Sequence, residues 1–303
     1  MRRVIVTGAS GFIGRHIIPM LMDKGFEVHA AYYTGPVEIM DDSGIFWHKC
    51  NLLKPEQNRE FIEEVNPTHI LHFAWYTEHN QYWSSIENIK WVQASLNLIM
   101  NFARCGGERA VLAGTCAEYD WKYGYLSEGV TPLKPHTLYG ICKNSLQEIF
   151  SDFAKQAGVS AAWGRIFFPY GPHEAVDRLV PSVIVSLLKD QKALCTHGRQ
   201  IRDYMHVEDV ASAFVSLLES GEEGPVNIAS GEPVAIRTII DTIADLMGRR
   251  ELIELDAIPA PELEQSLIVA DVLKLNKQVG WKPRVVLEDG LRSTIDWWRG
   301  HLP

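Results

Sequence analysis

The stretch GASGFIG at residues 8–14 decides the fold of this chain. It follows an apolar, β-branched run at residues 4–7 and opens a segment, residues 12–24, whose apolar side chains are spaced for a helix. Its three glycines permit a tight turn, the approach of a pyrophosphate to the backbone, and close packing of helix on strand. The first turn of the helix would then face the anion. We therefore predict a strand–turn–helix unit that binds a dinucleotide.

Strand-like and helix-like segments alternate beyond this unit, which is typical of a parallel sheet covered by helices on both faces. The predicted strands are 27–33, 46–50, 69–74, 110–113 and 160–167, and the predicted helices are 55–65, 84–104 and 139–157. The rhythm breaks at residues 169–172, before a further helix at 179–188. We expect an α/β protein: a Rossmann-type doubly wound parallel sheet in residues 1–167, with a smaller α/β substrate-binding lobe in 168–303, interleaved with the first near 205–230.

Composition excludes several classes of function. The 303 residues carry 29 Lys+Arg against 38 Asp+Glu, and this net charge of -9 disfavours binding to nucleic acid. No apolar run reaches the length of a membrane span. The five cysteines are scattered and form no CxxC pair, so neither a disulfide framework nor a metal site is expected. Since no secretory signal precedes residue 4, we expect a cytoplasmic protein.

A tyrosine and a lysine stand four residues apart in YGICK, residues 139–143, so a helix places them on one face. A phenol ordinarily has a pKa of about 10, and a neighbouring ammonium group favours its ionised form. Tyr139 and Lys143 are therefore candidates for acid–base chemistry. The segment GTCAEY, residues 114–119, follows the predicted strand 110–113 and carries a hydroxyl group at Thr115.

These motifs, together with IRDYMHVEDV at 201–210 and GWKP at 280–283, resemble the extended short-chain dehydrogenases/reductases, the NAD-dependent epimerase/dehydratase family that modifies nucleotide sugars. The resemblance runs nearly from end to end. It implies that Thr115, Tyr139 and Lys143 are the catalytic residues.

The cofactor expected from this resemblance is a nicotinamide dinucleotide. NAD-binding members carry an acidic residue at the end of the second strand, whereas this chain reads AAYYT at residues 30–34. The missing carboxylate favours NADP(H), with Arg15 near its 2′-phosphate, and leaves NAD(H) possible; Arg15 could equally be an exposed helix residue. The implied cofactor contacts are Gly8, Ser10, Gly11, Phe12, Ile13, Gly14, Arg15, Tyr33, Thr34, Asn51, Leu52, Phe73, Ala74, Tyr139, Lys143 and Phe167.

The substrate is expected to be a nucleotide sugar. By resemblance Arg202 contacts its diphosphate, unless it pairs with Asp203 or Asp209, and Arg178 is a second contact, unless it is only a solvated charge. The chain departs from the family where Phe168 and Trp91 replace asparagines. Trp75, Tyr76 and Tyr82 are available to stack on a sugar ring, or to pack as core or a lid hinge. The predicted substrate contacts are Trp75, Cys116, Phe168, Arg178 and Arg202.

The residues after Thr115 separate the possible reactions. Family members that dehydrate the sugar have a carboxylate at the second position after this threonine, where this chain has Ala117. The segment resembles that of 4-ketoreductases. We predict an NADP(H)-dependent reductase of a nucleotide-linked 4-keto-6-deoxyhexose, with hydride to C4 and Tyr139 as proton donor. The alternatives are an NAD-dependent 4-epimerase and a catalytically silent sensor of NADP(H). A homodimer is implied by the resemblance.

Overall fold

The computed structural model describes residues 2–33, 44–260 and 264–302. Eight helices occur in this described part: α1 (Gly14–Asp23), α2 (Pro55–Val65), α3 (Glu87–Arg104), α4 (Leu138–Ala157), α5 (Leu179–Leu188), α6 (Val207–Glu219), α7 (Ile236–Met247) and α8 (Leu287–Gly300). The strands are β1 (Arg3–Thr7), β2 (Glu27–Tyr32), β3 (Ile45–Lys49), β4 (His69–His72), β5 (Arg109–Thr115), β6 (Tyr125–Leu126), β7 (Ser160–Ile166), β8 (Phe168–Tyr170), β9 (Ala193–Leu194), β10 (Ile201–His206), β11 (Gly224–Ile228), β12 (Pro233–Ala235), β13 (Ile253–Glu254) and β14 (Leu267–Ala270).

A seven-stranded sheet forms the centre of the molecule, with the strand order β11-β7-β5-β4-β1-β2-β3. All of its neighbouring strands are parallel. Helices α1 and α6 pack together on one face, and α2, α3 and α4 pack on the other. The predicted doubly wound parallel sheet is therefore confirmed. Its strand order reverses between β1 and β4, and in such sheets a crevice for ligands opens at this point.

The smaller sheets are formed mostly by the second part of the chain, and β6 is contributed by the first part. Strands β12, β10, β14 and β6 form one path, to which β8 adds through β10, and β9 pairs with β13. Helices α5, α7 and α8 pack around a separate apolar cluster. Strand β11 and helix α6 come after residue 168 in the sequence. Even so, β11 is an edge strand of the central sheet, and α6 packs on one face of that sheet. The domain boundary at residue 167 stays a prediction.

Two stretches differ from the predicted elements. The break expected at residues 169–172 is wrong in part, since Phe168–Tyr170 forms β8 and the backbone turns only at Gly171, where φ is 148°. The helix expected from residue 84 begins at Glu87. The preceding residues form turns instead, because the Asn88 side-chain amide donates hydrogen bonds to the carbonyl oxygens of Tyr82 and Ser85.

A buried histidine fixes the crevice end of the sheet. His72 at the end of β4 is hydrogen-bonded to Thr7 through Nδ1 (2.6 Å) and to Ser95 of α3 through Nε2 (2.8 Å). Burial lowers the pKa of His72 to about 3, so the ring is neutral. It joins β1, β4 and α3 where the glycine turn starts. Across the described ranges of the chain, no helix has the length and apolar character needed to cross a membrane.

Candidate active site

The glycine turn between β1 and α1 leaves no room for a side chain at Gly8 or Gly14. Gly8 has a φ of 67°, and a Cβ there would lie 2.9 Å from the Ala74 nitrogen. A Cβ on Gly14 would collide with the carbonyl oxygen of Gly8. Helix α1 then starts with no side-chain cap on Ile13, so its first backbone N–H groups are free of side-chain acceptors. This bare cradle fits the pyrophosphate of a dinucleotide.

The other residues predicted to bind a cofactor lie around the same edge of the sheet. Ala74 follows β4 and donates its N–H to Thr7 Oγ1 (3.2 Å), and Phe73 packs on Phe214 with ring centres 4.7 Å apart. Asn51 follows β3, and its side-chain oxygen accepts a hydrogen bond from the Leu53 N–H. Ser10, Phe12 and Ile13 are half-buried, Gly11 and Tyr33 are exposed, Leu52 and Phe167 are buried, and Thr34 lies outside the described residues.

Arg15 folds back over the glycine turn. Its guanidinium group donates to the carbonyl oxygens of Ser10 (2.7 Å) and Gly11 (3.2 Å) and lies 2.6 Å from His173 Nδ1. His173 packs against Trp297 of α8. Burial and the charge of Arg15 lower the pKa of His173 to about 4, so this histidine is neutral. Arg15 therefore ties the turn to the second part of the chain, and its contact with a 2′-phosphate stays a prediction.

The structure brings Thr115, Tyr139 and Lys143 together. Thr115 ends β5, the two other residues lie one turn apart in α4, and the Thr115 hydroxyl lies close enough to the Tyr139 phenol to lower its pKa. Lys143 Nζ donates to the carbonyl oxygen of Ala113 (2.8 Å) and lies 3.7 Å from the centre of the Trp75 ring. The set combines an aliphatic hydroxyl, a phenol and an amine, which are the kinds of group that acid–base chemistry on a substrate oxygen uses.

Burial changes the protonation of both groups on α4. It lowers the pKa of Lys143 to about 7, a change that the nearby Glu118 carboxylate opposes. It raises the pKa of Tyr139, and the hydrogen bond from Thr115 opposes this. The phenol is therefore protonated at neutral pH in this state of the molecule, as a proton donor must be.

A buried ion pair holds the Thr115 turn. Glu118 accepts hydrogen bonds from the Thr115 N–H (2.8 Å) and Trp163 Nε1 (2.9 Å) through one oxygen, and from Arg165 Nε (2.6 Å) through the other. The Arg165 guanidinium also donates to the Tyr119 hydroxyl (3.0 Å). Both charged side chains are almost fully buried, at 0% and 1% exposure. Each oxygen of Glu118 is thus engaged in fixing the turn that presents Thr115.

Aromatic rings cover Tyr139. Tyr82 packs edge-on against it with ring centres 5.0 Å apart, Trp83 lies at 5.8 Å and Trp75 at 6.5 Å. The Trp83 carbonyl oxygen accepts the Tyr139 N–H at the start of α4. Trp75, Tyr82 and Trp83 all come from the segment after β4. The Trp121 ring, which lies later in the chain, packs edge-on against Trp83. The segment of residues 75–83 therefore packs around the Tyr139 ring, which is half-buried.

The residues predicted to bind the substrate border this aromatic cover. Arg178, at the N-terminus of α5, lies 5.4 Å from the centre of the Tyr82 ring. Arg202 lies 5.7 Å from the Phe168 ring centre and pairs with Glu264 at 3.1 Å. Cys116 is buried directly after Thr115, and burial raises the pKa of its thiol.

The two carboxylates offered as alternative partners of Arg202 have other roles. Asp203 accepts hydrogen bonds from the backbone N–H groups of Ser230, Gly231 and Ala270. Asp209 accepts from the N–H groups of Arg284 and Val285. The pairing of Arg202 with either is thus wrong, since each carboxylate is used to join backbone segments of the second lobe.

Sequence analysis missed the parts of the site that come from distant segments. Arg165, Trp83 and Trp121 are not among the residues predicted from the sequence. One signal was available: Glu118 closely follows the apolar stretch AVLA, residues 110–113, and a carboxylate buried there needs a cation, which an arginine in the next strand can supply. The aromatic cover had no such signal, because its rings meet only in the folded chain.

Comparison with known proteins places these features in context. Residues 4–229 match the model of the NAD dependent epimerase/dehydratase family. The dTDP-6-deoxy-L-talose 4-dehydrogenase (NAD(+)) of Aggregatibacter actinomycetemcomitans is 26% identical over 246 residues, covering 78% of this chain and 88% of that protein. The GDP-6-deoxy-D-mannose reductase of Pseudomonas aeruginosa is 24% identical, with 99% and 98% covered. Other relatives are UDP-glucuronic acid decarboxylases.

A solved structure agrees with the fold. The UDP-glucose 4-epimerase of Thermus thermophilus, in complex with NAD, superposes with a TM-score of 0.85 at 28% identity, covering 98% of this chain and 99% of that one. The family match spans the glycine turn, the Thr115 segment and α4, so it includes every residue of the predicted catalytic set. This chain belongs to the NAD dependent epimerase/dehydratase family and is an enzyme that modifies nucleotide sugars.

Proposed function

We propose that the enzyme reduces the 4-keto group of a nucleotide-linked 4-keto-6-deoxyhexose. The observation that carries this proposal is the placement of Thr115, at the end of β5, next to Tyr139 and Lys143, which share one face of α4. Two relatives, a 4-dehydrogenase and a reductase of 6-deoxy sugars, have names that fit the same chemistry.

The reaction needs one hydride and one proton. A reduced nicotinamide dinucleotide held by the glycine turn of residues 8–14 would supply the hydride that C4 of the sugar needs. The Thr115 hydroxyl holds the carbonyl oxygen, and Tyr139 gives its proton to that oxygen as the C4–O double bond becomes a single bond. Lys143, next to the phenolate that remains, stabilises its negative charge. The aromatic cover keeps water away from these steps.

The same geometry argues against dehydration of the sugar. That reaction needs a carboxylate free to remove a proton from the substrate. Cys116 and Ala117 carry none, and both oxygens of Glu118 are engaged by Thr115, Trp163 and Arg165. Reduction needs no such group, so it is the reaction that this set of side chains supports best.

We further propose NADP(H) as the preferred cofactor. The described end of β2, residues 30–33, has no carboxylate to hold the ribose hydroxyls or to repel a 2′-phosphate. Arg15 brings a positive charge near the turn. The Thermus enzyme binds NAD, so NAD(H) is the alternative, and the assay below compares both.

The decisive experiment follows absorbance at 340 nm with NADPH or NADH and a panel of enzymatically generated nucleotide 4-keto-6-deoxysugars. Stoichiometric loss of the reduced cofactor supports the reductase and ranks the two cofactors. No loss, together with NAD released on denaturation and sugar interconversion without added cofactor, would instead identify a 4-epimerase. A protein that binds NADPH but changes no sugar would fit the silent sensor.

We also propose a homodimer. Helices α3 and α4 expose several large apolar side chains, and clusters of this kind are typical of interfaces between proteins. These are Ile89 and Met100 on α3, at 44% and 49% exposure, and Ile141 and Ile149 on α4, both at 47%. Pairing of these two helices with those of a second subunit would bury them. Light scattering coupled to size exclusion gives the mass; a monomer at micromolar concentration would contradict the proposal.

A further inference from the structure

The ammonium group of Lys143 lies against the face of an aromatic ring. Its Nζ atom is 3.7 Å from the centre of the Trp75 ring and donates a hydrogen bond to the Ala113 carbonyl oxygen (2.8 Å). Lys143 forms no ion pair in the described part of the chain, and the nearby Glu118 carboxylate is paired with Arg165. Burial has removed the water that would otherwise stabilise this ammonium group. The ring face, which is the negative side of an indole, takes over part of that stabilisation.

A buried asparagine fixes the Trp75 ring. Asn88, in the first turn of α3, is fully buried, and its Oδ1 atom accepts a hydrogen bond from Trp75 Nε1 (2.8 Å). Its amide group donates to the carbonyl oxygens of Tyr82 (2.7 Å) and Ser85 (2.8 Å). Both polar atoms of this side chain are therefore engaged. The hydrogen bond from Nε1 holds the ring in the orientation that turns its face to Lys143.

We propose that Trp75 and Asn88 are positioning residues that hold the Lys143 ammonium group, in its charged form, beside Tyr139. The inference rests on the proposed function for the roles of Tyr139 and Lys143. Only a charged lysine stabilises the phenolate that remains once Tyr139 has given its proton to the substrate. Since one face of the Trp75 ring is occupied by Lys143, this role differs from the predicted stacking on a sugar.

Lys143 is the group whose charge is in the balance at neutral pH. Burial lowers its pKa to about 7, so a modest stabilisation of the ammonium form decides how many molecules carry the charge. The titratable groups that face it are Glu118 after β5, His72 of β4 and Tyr139 of its own helix. Glu118 is the counter-ion of Arg165, His72 is neutral and Tyr139 is protonated. The charges of these neighbours stay constant around neutral pH, so a change in the titration of Lys143 can be assigned to its ring.

Titration of Lys143 in the ligand-free protein tests the proposal without turnover. Lysine labelled isotopically at Cε gives an NMR signal for each lysine, and Lys143→Met identifies the signal of Lys143. We expect Trp75→Leu to lower the pKa of Lys143 by about one pH unit, because leucine is apolar but offers no ring face to the ammonium group. If Trp75 only buried the lysine, its loss would admit water and raise the pKa. A raised or unchanged pKa would overturn the proposal.

Further variants assign the effect to the ring face and its support. Trp75→Phe keeps a ring face and should lower the pKa of Lys143 by about half as much. Asn88→Ala removes the hydrogen bond that fixes the ring and should lower the pKa in the same direction; these two variants decide the question if Trp75→Leu does not fold. The matched control is Trp83→Leu, which removes a ring that packs on Tyr139 and leaves the Trp75 contact in place, so the pKa should not fall. A fall as large as in Trp75→Leu would contradict the assignment.

The pH dependence of kcat gives a second readout. With NADPH and the best substrate of the panel, the loss of kcat at alkaline pH should begin about one pH unit lower in Trp75→Leu than in the wild type, with KM nearly unchanged. A merely structural defect would lower kcat by the same factor at every pH and would contradict the role of Trp75. A protein whose Lys143 titrates as expected but which oxidises no NADPH would retain the inference and refute the reductase.

Discussion

The two sides of the crevice are built by different means. On the cofactor side, the turn at residues 8–14 presents backbone N–H groups and bare Cα atoms, and its shape follows from three glycines close in sequence. On the substrate side, Arg178 and Arg202 already contact Tyr82 and Glu264, side chains that lie far away along the chain. We expect the first side to be preorganised for its ligand, and the second to exchange internal contacts when a ligand binds. Binding of cofactor and of substrate should therefore respond differently to substitution.

The largest effect is expected at the catalytic set between the two sides. Tyr139→Phe removes the proton donor while keeping the ring within its aromatic cover, so kcat should fall by about 10² to 10⁴. Cofactor affinity should not change. The assay is NADPH oxidation with the best substrate of the panel, with Tyr125→Phe, an exposed tyrosine, as control. Turnover like that of the wild type would refute the assigned acid.

The second prediction concerns the buried ion pair between Glu118 and Arg165, which holds the turn at Thr115. Glu118→Gln leaves Arg165 as a buried charge without its counter-ion, which should lower the free energy of unfolding by about 3–5 kcal/mol. Urea unfolding followed by fluorescence measures this. Glu63→Gln breaks an exposed pair with Arg59 and should cost at most about 1 kcal/mol. Similar losses in the two variants would mean that the buried pair does not hold this turn.

Substitution of a glycine tests the preorganised side. In Gly14→Ala the new methyl group meets the Gly8 carbonyl oxygen, so the turn must open, and affinity for NADPH or NADH should fall at least about tenfold. Gly129→Ala is the control, because its Cβ would meet nothing within 4 Å. Calorimetry supplies both affinities. If Gly14→Ala binds normally, the turn is more compliant than its contacts indicate.

The same contrast explains what the sequence could predict. The central sheet was predictable because strand, turn and helix signals are local, and α2 and α5 begin and end where the pattern placed them. The placement of Tyr139 and Lys143 on one face of α4 was predictable for the same reason, whereas Thr115 was predicted from the resemblance, and the catalytic role of all three residues stays a prediction. The surroundings of the triad were not, since Glu118 meets Arg165, and Tyr82 meets Tyr139, only after segments 47 and 57 residues apart have folded together.

The protonation of Lys143 gives a prediction that depends on pH. Burial lowers its pKa from the ordinary value of 10.5 to about 7, so between these values the unfolded chain binds more protons than the folded one. Wild-type stability should therefore rise relative to Lys143→Met as pH increases from 7, by at most about 1.4 kcal/mol per pH unit. Urea unfolding of both ligand-free proteins at several pH values measures it. A constant difference would place the lysine pKa near its ordinary value.

The smallest effect is expected where the substrate side must exchange a contact. Arg202 can hold a diphosphate only if it gives up part of its pair with Glu264, which is one-quarter exposed and lies 3.1 Å away. Glu264→Gln removes this competing charge, so affinity for the nucleoside diphosphate should rise about two- to fivefold, in keeping with the modest free energy of partly exposed pairs. Arg202→Met should weaken the same ligand at least about tenfold. Cofactor affinity should stay constant in both variants, because the glycine turn has no part in the exchange. If Glu264→Gln instead weakens the diphosphate, the carboxylate orients Arg202 for the ligand, and the substrate side is preorganised as well.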